Sequence, residues 1–563
     1  MLAGPGAGKT RLLTERIVRL LDQGTQPERL LALTFSRKAG EEILARVRER
    51  LPETELPFCG TFHALAWKSL RKKHSTAVLL PDEQAQGLLM QSVRTVLPDL
   101  DDRKVRDYAN HIELMRERCE PMARDSSERA VLRAYAQAKC NSTILRFDFT
   151  DLLEVFLRDH ELQESIRPEH VLVDEVQDLS LLQVRVVQSL LPSSGQGFFG
   201  IGDPDQSIYG FRGALSDIVP VLKELWPDLA TRSLKMSFRS SQKILDLASQ
   251  TMHDAPSSGH LTAARPLSAV LTSFEAPTQA IEERWLADQI AGLLGATSHT
   301  LLDLQKDRYP GLPGDCSPSD IAVLVRLKAQ IPSLMRALTQ KGIPVQAPSL
   351  NLFWQDEGIQ KVLAFMEQQI LAGRQTFGLG SLLNISRSTQ PPAELVPLLM
   401  QQGALTEEIL ATPAWEQLGK AFAGAGSWER LLEEVCWQKE VDLLQSRAEA
   451  VRLLTMHAAK GLEFRAVFLP GFNDGLLPHG RALLRGREEE LSQNALEEER
   501  RLLYVALTRA SEALFLSFAH KRTLYGRELE LPVSRFFADI SSLFARKRMV
   551  RHAQKTLVQG SLV

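Results

Sequence analysis

Residues 3–10 read AGPGAGKT, and a helix is predicted to follow from about Thr10 to Leu21. Glycines at Gly4, Gly6 and Gly8 let successive backbone N–H groups turn toward one point. The N-terminus of the helix behind them favours negative charge at that point. Residues Gly4, Pro5, Gly6, Ala7, Gly8, Lys9, Thr10 and Arg11 therefore form a candidate phosphate cradle. In it Lys9 neutralises the β- and γ-phosphates and the Thr10 hydroxyl holds Mg²⁺. The strict pattern has glycine where Ala3 stands. Alone, such a loop does not separate a kinase from a motor.

The second decisive string is VLVDEVQD at residues 171–178, an apolar strand ending in two adjacent carboxylates. Asp174 is placed to hold Mg²⁺, directly or through water. Glu175 is placed to orient and polarise a water that attacks the γ-phosphate. A lone acidic pair is commonly just a strand-to-loop turn. Behind a phosphate loop it points to nucleotide hydrolysis, and the long interval between the two requires an insertion.

Short apolar runs recur at 30–34, 171–174 and 198–202, and again at 269–274, 321–325, 451–455, 466–469 and 514–518. Alternating with helical stretches, they predict parallel sheets covered on both faces. Residues 66–148 and 355–448 break this rhythm and read as helical insertions without a clear strand. The organisation expected is a first α/β domain from 1–65 and 149–228, interrupted by 66–148. A second is expected from 229–354 and 449–540, interrupted by 355–448, with a basic tail at 541–563.

Composition limits the partners. The chain has 563 residues, 44% of them hydrophobic and 24% charged, as in an ordinary globular protein of several domains. A formal net charge of −2 excludes a globally basic field, so any nucleic-acid contact must use local patches. Cys59, Cys119, Cys140, Cys316 and Cys436 are scattered without a CxxC pair, which indicates neither zinc nor a disulfide framework. No apolar run reaches membrane-spanning length, and a cytoplasmic protein without a membrane partner is expected. The tail, with Arg546, Lys547, Arg548, Arg551 and Lys555, reads as a solvated, mobile end. Its last five residues carry part of a sliding-clamp-binding pattern but lack the aromatic end.

Further strings follow in order: LTFSRKAGEE (33–42), GTFHA (60–64), GIGDPDQSIYGFRGA (200–214), MSFRSS (236–241), LLTMHAAKGLEF (453–464) and EERRLLYVALTRA (498–510). With the two strings above, the series resembles the UvrD/Rep/PcrA family of superfamily 1 DNA helicases, in which alanine is usual at the position of Ala3. The resemblance implies an α/β fold of two RecA-like P-loop domains with parallel sheets, each carrying a helical insertion. It implies ATP and Mg²⁺ as cofactors, single-stranded DNA and duplex junctions as substrates, repair or replication proteins as partners, and 3′-to-5′ travel.

Residue by residue, it implies that Thr34, Thr61 and His63 bond to DNA phosphates and that Phe35 and Phe62 meet bases. Gln206 senses the γ-phosphate, while Tyr209, Phe211 and Arg212 face the DNA or brace that contact. Phe238 stacks on adenine, Arg239 reaches the γ-phosphate, and Glu463 meets the ribose. Thr455 and His457 touch DNA, and Arg509 is a second arginine finger.

Two departures from the family pattern carry expectations. Only Met1 and Leu2 precede Ala3. The family's adenine-reading glutamine and most of the strand before the loop are missing, so a truncated chain with weakened adenine selectivity is expected. The second insertion is shorter than in well-known members, which favours translocation over strand separation. Two alternatives to a helicase follow: a translocase that strips proteins from single strands, and a non-catalytic DNA-binding protein.

Overall fold

The computed structural model describes every residue except 75–76, 141–144, 216, 253–256, 258, 296–315, 348–352, 376–387, 438–448, 481–491 and 549–563. Two compact units divide the chain. One is Met1–Ala3, Gly8–Ser233 and Pro348–Gln445, and the other is Gly4–Ala7, Leu234–Ala347 and Ser446–Val563. Among the described residues, no helix is long and apolar enough to cross a membrane.

In the first unit, Leu30–Thr34 is buried at every position. A strand without polar alternation belongs inside a parallel sheet covered on both faces, and it lies there. The strands are β1 (Leu2–Ala3), β2 (Leu30–Thr34), β3 (Phe58–Thr61), β4 (Val78–Leu79), β5 (Arg146–Phe147), β6 (His170–Val173), β7 (Phe198–Gly200) and β8 (Ser233–Leu234). Four form a parallel sheet in the order β3-β2-β6-β7. Leu31 stands opposite Phe58 on one side and Val171 on the other. Beyond β7, Leu2 makes a parallel bridge with Gly202. Ala3 N–H donates to Gly202 O (2.9 Å) and Leu2 N–H to Arg232 O (2.7 Å). The short strand before the phosphate loop is thus paired on both sides.

The first insertion packs helices Asp82–Val96, Asp102–Glu117 and Ser127–Lys139 around Leu89, Val93, Val105, Ile112 and Tyr135. It is not wholly helical. At its root β4 and β5 pair in parallel, with Val78 opposite Arg146. Buried charges tie it to helix Phe149–Arg158. Arg116 reaches Asp148 (2.9 Å), Asp151 (2.8 Å) and Glu154 (3.0 Å). Lys139 joins Asp148 and Asp151, and Tyr135 Oη donates to Asp148 (2.8 Å). Such a set is tolerable in the interior only because each charge has several partners.

The second insertion has its own core, which includes Trp354, Val362, Met366, Leu399, Leu418, Phe422 and Trp428. In sequence it lies between two strands of the second sheet, yet it groups with the first unit. Helix Trp428–Trp437 supplies the contact with helix Phe62–Lys73. Trp67 Nε1 donates to Glu433 (2.8 Å), and Arg71 pairs with Glu433 (3.4 Å) and Glu429 (3.8 Å). Trp437 meets Phe149 edge-on at 5.1 Å.

In the second unit the strands are β9 (Met236–Ser237), β10 (Thr262–Ala263), β11 (Val270–Thr278), β12 (Ile321–Val325), β13 (Val345–Gln346), β14 (Val451–Thr455), β15 (Phe464–Pro470), β16 (Ala510–Leu524), β17 (Arg527–Glu530) and β18 (Ala545–Arg548). The large sheet runs β13-β14-β12-β15-β16-β11-β18, with β17 on β16. All its pairings are parallel except β16 with β17. The basic tail is corrected here: Ala545–Arg548 is not a loose end but an edge strand, with Thr272 opposite Ala545 and Glu275 opposite Arg548. The clamp-like final residues lie outside the described residues.

Removing the Trp67–Glu433 bond by Trp67→Phe is expected to speed amide exchange in helices Phe62–Lys73 and Trp428–Trp437, leaving the second sheet unchanged. A partly buried hydrogen bond to a charged group contributes about 1.5–3 kcal/mol, enough to move local opening by tenfold or more. Exchange mass spectrometry reads it, and unchanged protection in Trp428–Trp437 would show that this bond does not hold the helix.

Candidate functional site

A parallel sheet delivers the C-terminal ends of its strands to one edge, and ligands bind there. In the first unit that edge collects Ala3, which leads into the phosphate loop, Asp174 and Glu175 after β6, and Asp203 just past β7. The loop needs its glycines for conformation: Gly6 and Gly8 have φ of 71° and 83°. A side chain at Gly8 would meet nothing within 4 Å, so the requirement there is the backbone angle, not space. Helix Lys9–Asp22 starts from Gly8 with no side-chain cap and no acidic residue in its first turn. Its leading N–H groups are therefore suited to an anion.

Lys9 Nζ donates to Ala3 O (3.3 Å) and lies 3.9 Å from Glu175. Asp174 is buried, and its Oδ1 has no hydrogen-bond partner among the described residues. Burial, with Glu175 beside it, pushes its carboxyl up to about 7. A buried, unsatisfied carboxylate oxygen is costly, and a hard cation would relieve the cost. Of the two residues expected to hold Mg²⁺, Asp174 has this unsatisfied oxygen, and Thr10 stands in the first turn of helix Lys9–Asp22. Arg11 is exposed.

Behind the acidic pair lies a polar set that reading the sequence missed. Gln177 is fully buried, donates to Glu175 (2.6 Å) and accepts the Asp203 N–H (2.9 Å). Asp203 accepts Gln206 Nε2 (2.6 Å). Complete burial pushes the Asp203 carboxyl up to about 7, against the pull of Lys9. The only sequence signal was Gln177's place two residues after the acidic pair.

The expected DNA residues of the first unit divide into two groups. Phe35 stacks on Tyr209 (4.8 Å, 16°). Phe211 is 59% exposed, and the Arg212 guanidinium stands 5.6 Å from the rings of both Tyr209 and Phe211. These form an aromatic and cationic surface. His63 is half-buried, edge-on to Phe149 at 5.4 Å. The remaining three are engaged within the fold. Phe62 is corrected: it is 3% exposed and part of the core with Leu65 and Leu153, so its ring does not face a base. Thr34 is buried, its hydroxyl donating to Ser36 O (2.8 Å), and Thr61 Oγ1 caps helix Phe62–Lys73 by accepting Ala64 N–H (3.1 Å).

In the second unit, Ser237 Oγ donates to Pro5 O (2.8 Å) and Phe238 N–H to Gly6 O (2.9 Å), which is why Gly4–Ala7 group with it. Phe238 is 51% exposed, a free face for a flat ring. Arg239 pairs with exposed Glu463 (2.7 Å). Arg509 is buried, with its guanidinium on Val505 O (2.9 Å) and Leu462 O (3.1 Å). Thr455 Oγ1 accepts Ala458 N–H (3.2 Å), and His457, half-buried, lies in the turn after β14.

Comparison with known proteins agrees with this layout. The family model "UvrD/REP helicase N-terminal domain" matches residues 1–225, and "UvrD-like helicase C-terminal domain" matches 233–375 and 425–521. A protein named ATP-dependent DNA helicase UvrD2 from Mycobacterium tuberculosis is 30% identical over 96% of this chain and 79% of its own length. The chain belongs to the UvrD/Rep helicase family. It is also similar to ATP-dependent DNA helicase PcrA from Leuconostoc citreum, 28% identical over 96% of this chain and 82% of that protein. A probable DNA helicase II homolog from Rickettsia felis is 26% identical over 96% and 93%.

Within this UvrD/Rep fold, exposure separates the two aromatic candidates. Phe211→Ala is expected to weaken binding of an oligo-dT strand by about 1–3 kcal/mol, the range for loss of a stacking ring, with an unchanged melting midpoint. Phe62→Ala is expected to destabilise the first unit by about 3–5 kcal/mol as a core truncation. Anisotropy titrations beside thermal melts check both, and reversed effects would invert the assignment.

Proposed function

We propose that this chain is an ATP-driven DNA helicase that moves along single-stranded DNA, 3′-to-5′, in repair or replication. One observation carries the reading: buried Asp174 with its unpartnered oxygen, Glu175 and Lys9 stand together at the sheet edge that receives the phosphate loop. The helix N-terminus after Gly8 and the Lys9 ammonium hold the phosphates of ATP. Mg²⁺, when bound beside Thr10 and Asp174, neutralises charge on the β- and γ-phosphates. Glu175 orients the attacking water and takes up its proton. Gln206 reports whether the γ-phosphate is present, and Arg239 and Arg509 balance the charge that develops on it. Phe238 receives the adenine and Glu463 the ribose.

The DNA side rests on Tyr209, Phe35, Phe211 and Arg212. Aromatic faces stack on any base, which suits a motor that must step along a strand without reading it. His63, Thr61, Thr34, Thr455 and His457 complete the strand contact through phosphates, with the committed hydroxyls of Thr34 and Thr61 contributing through their loops.

Glu175→Gln is expected to lower DNA-stimulated ATP hydrolysis by about 10²–10⁴-fold while nucleotide binding persists. Arg239→Ala is expected to lower kcat by about 10³–10⁵-fold. Duplexes with a 3′ or a 5′ tail test polarity: unwinding from the 3′ tail alone is the expected result. Translocation without unwinding would reduce the activity to that of a single-strand translocase. DNA binding without any hydrolysis would leave a non-catalytic binding protein.

A further inference from the structure

The acidic pair and the DNA-facing rings are joined through one side chain. Gln177 is fully buried between them. A backbone N–H can only donate and a carboxylate only accept, so the two ends of its amide are fixed by their partners. The oxygen takes the Asp203 N–H (2.9 Å) and the nitrogen donates to Glu175 Oε2 (2.6 Å). The Gln177 carbonyl accepts Ser207 Oγ (3.1 Å) as well, so both its backbone and its side chain hold the 203–207 turn. There is no slack: a Cβ at Gly202 would stand 2.2 Å from Gln177 Oε1. Two residues past Ser207, Tyr209 stacks on Phe35. Asp203, in the same turn, holds Gln206 (2.6 Å).

We propose that Gln177 is a positioning residue that ties the orientation of Glu175 to the 203–209 segment, so that DNA on the Phe35–Tyr209 stack sets how well Glu175 aims its water. A neutral amide suits this task, because it restrains a carboxylate without cancelling its charge. Glu175 itself sits in the left-handed region (φ 48°), where its backbone needs holding from outside. The inference rests on the ATPase reading above and adds to it the residue that makes hydrolysis respond to DNA.

Two variants test it. Gln177→Glu keeps the acceptor for Asp203 and replaces the donor toward Glu175 with a like charge. Gln177→Met keeps the length and removes both bonds. ATPase rates with and without oligo-dT, oligo-dT affinity by anisotropy, and melting curves are compared with the unaltered chain. In either variant, stimulation by DNA is expected to fall at least about tenfold. The KM for ATP and the affinity for oligo-dT are expected to stay within about twofold. If Gln177→Met does not fold, Gln177→Glu, nearly identical in shape, decides alone. Undiminished stimulation in a folded variant overturns the inference, and so does a loss that merely tracks weaker oligo-dT binding. An unaltered chain without DNA-stimulated hydrolysis would overturn the functional reading itself, and this inference with it.

Discussion

The placement of three residues, Met1–Ala3, beside Gly200–Gly202 governs the charged groups of the first unit. Parallel strands present their C-terminal ends to the same edge, and the ends of β1, β6 and β7 bring Ala3, Asp174 and Asp203 there. The Lys9 bond to Ala3 O shows how directly the loop depends on this pairing. Backbone hydrogen bonds on both sides of β1 hold its two residues in place, and Ala3 is fully buried. The acidic pair then needs no device of its own to find the loop, because the register of the sheet has already placed it.

That edge is expensive as it stands. Asp174 and Asp203 are both buried, and burial raises both carboxyls. Polar atoms in such a place are kept by partners or by ligands. Asp203 has Gln206 and the turn around it, whereas Asp174 keeps an oxygen with no partner among the described residues. The contrast separates a carboxylate that organises a turn from one whose environment suits a cation. The buried charges around Arg116 are the opposite case. They are mutually satisfied and face no open edge, so they read as an anchor for the first insertion.

What the sequence made legible follows from which interactions are local. Runs such as Leu30–Thr34 and Ile321–Val325 declare themselves through their apolar character, Val451–Thr455 does so despite Arg452, and their bounds match the strands found. The phosphate loop is legible because glycine, lysine and threonine act at fixed short spacing. The strand Ala545–Arg548 was hidden because three of its four residues are basic, and only pairing with β11 makes them a strand. Phe62 and Phe35 both follow apolar runs; nothing local says that one ring turns into the core and the other meets Tyr209. Gln177 was missed for the same reason, since its meaning lies in a partner 26 residues away. The grouping of the second insertion with the first unit goes with contacts such as Glu433 to Trp67, 366 positions apart, which no window along the chain can see.

The two arginines of the second unit are held in different ways. Arg509 is held by carbonyl oxygens of Val505 and Leu462 and by the Thr508 hydroxyl. Arg239 instead pairs with Glu463, a residue whose side chain is 66% exposed. An ion pair open to water on one side contributes little and is easily exchanged for a stronger anion. Arg239 also donates to Thr508 O (3.4 Å), so the two guanidinium groups differ in burial and in the solvent-facing carboxylate that only Arg239 is seen to meet among the contacts named, a difference that neither motif string reveals on its own.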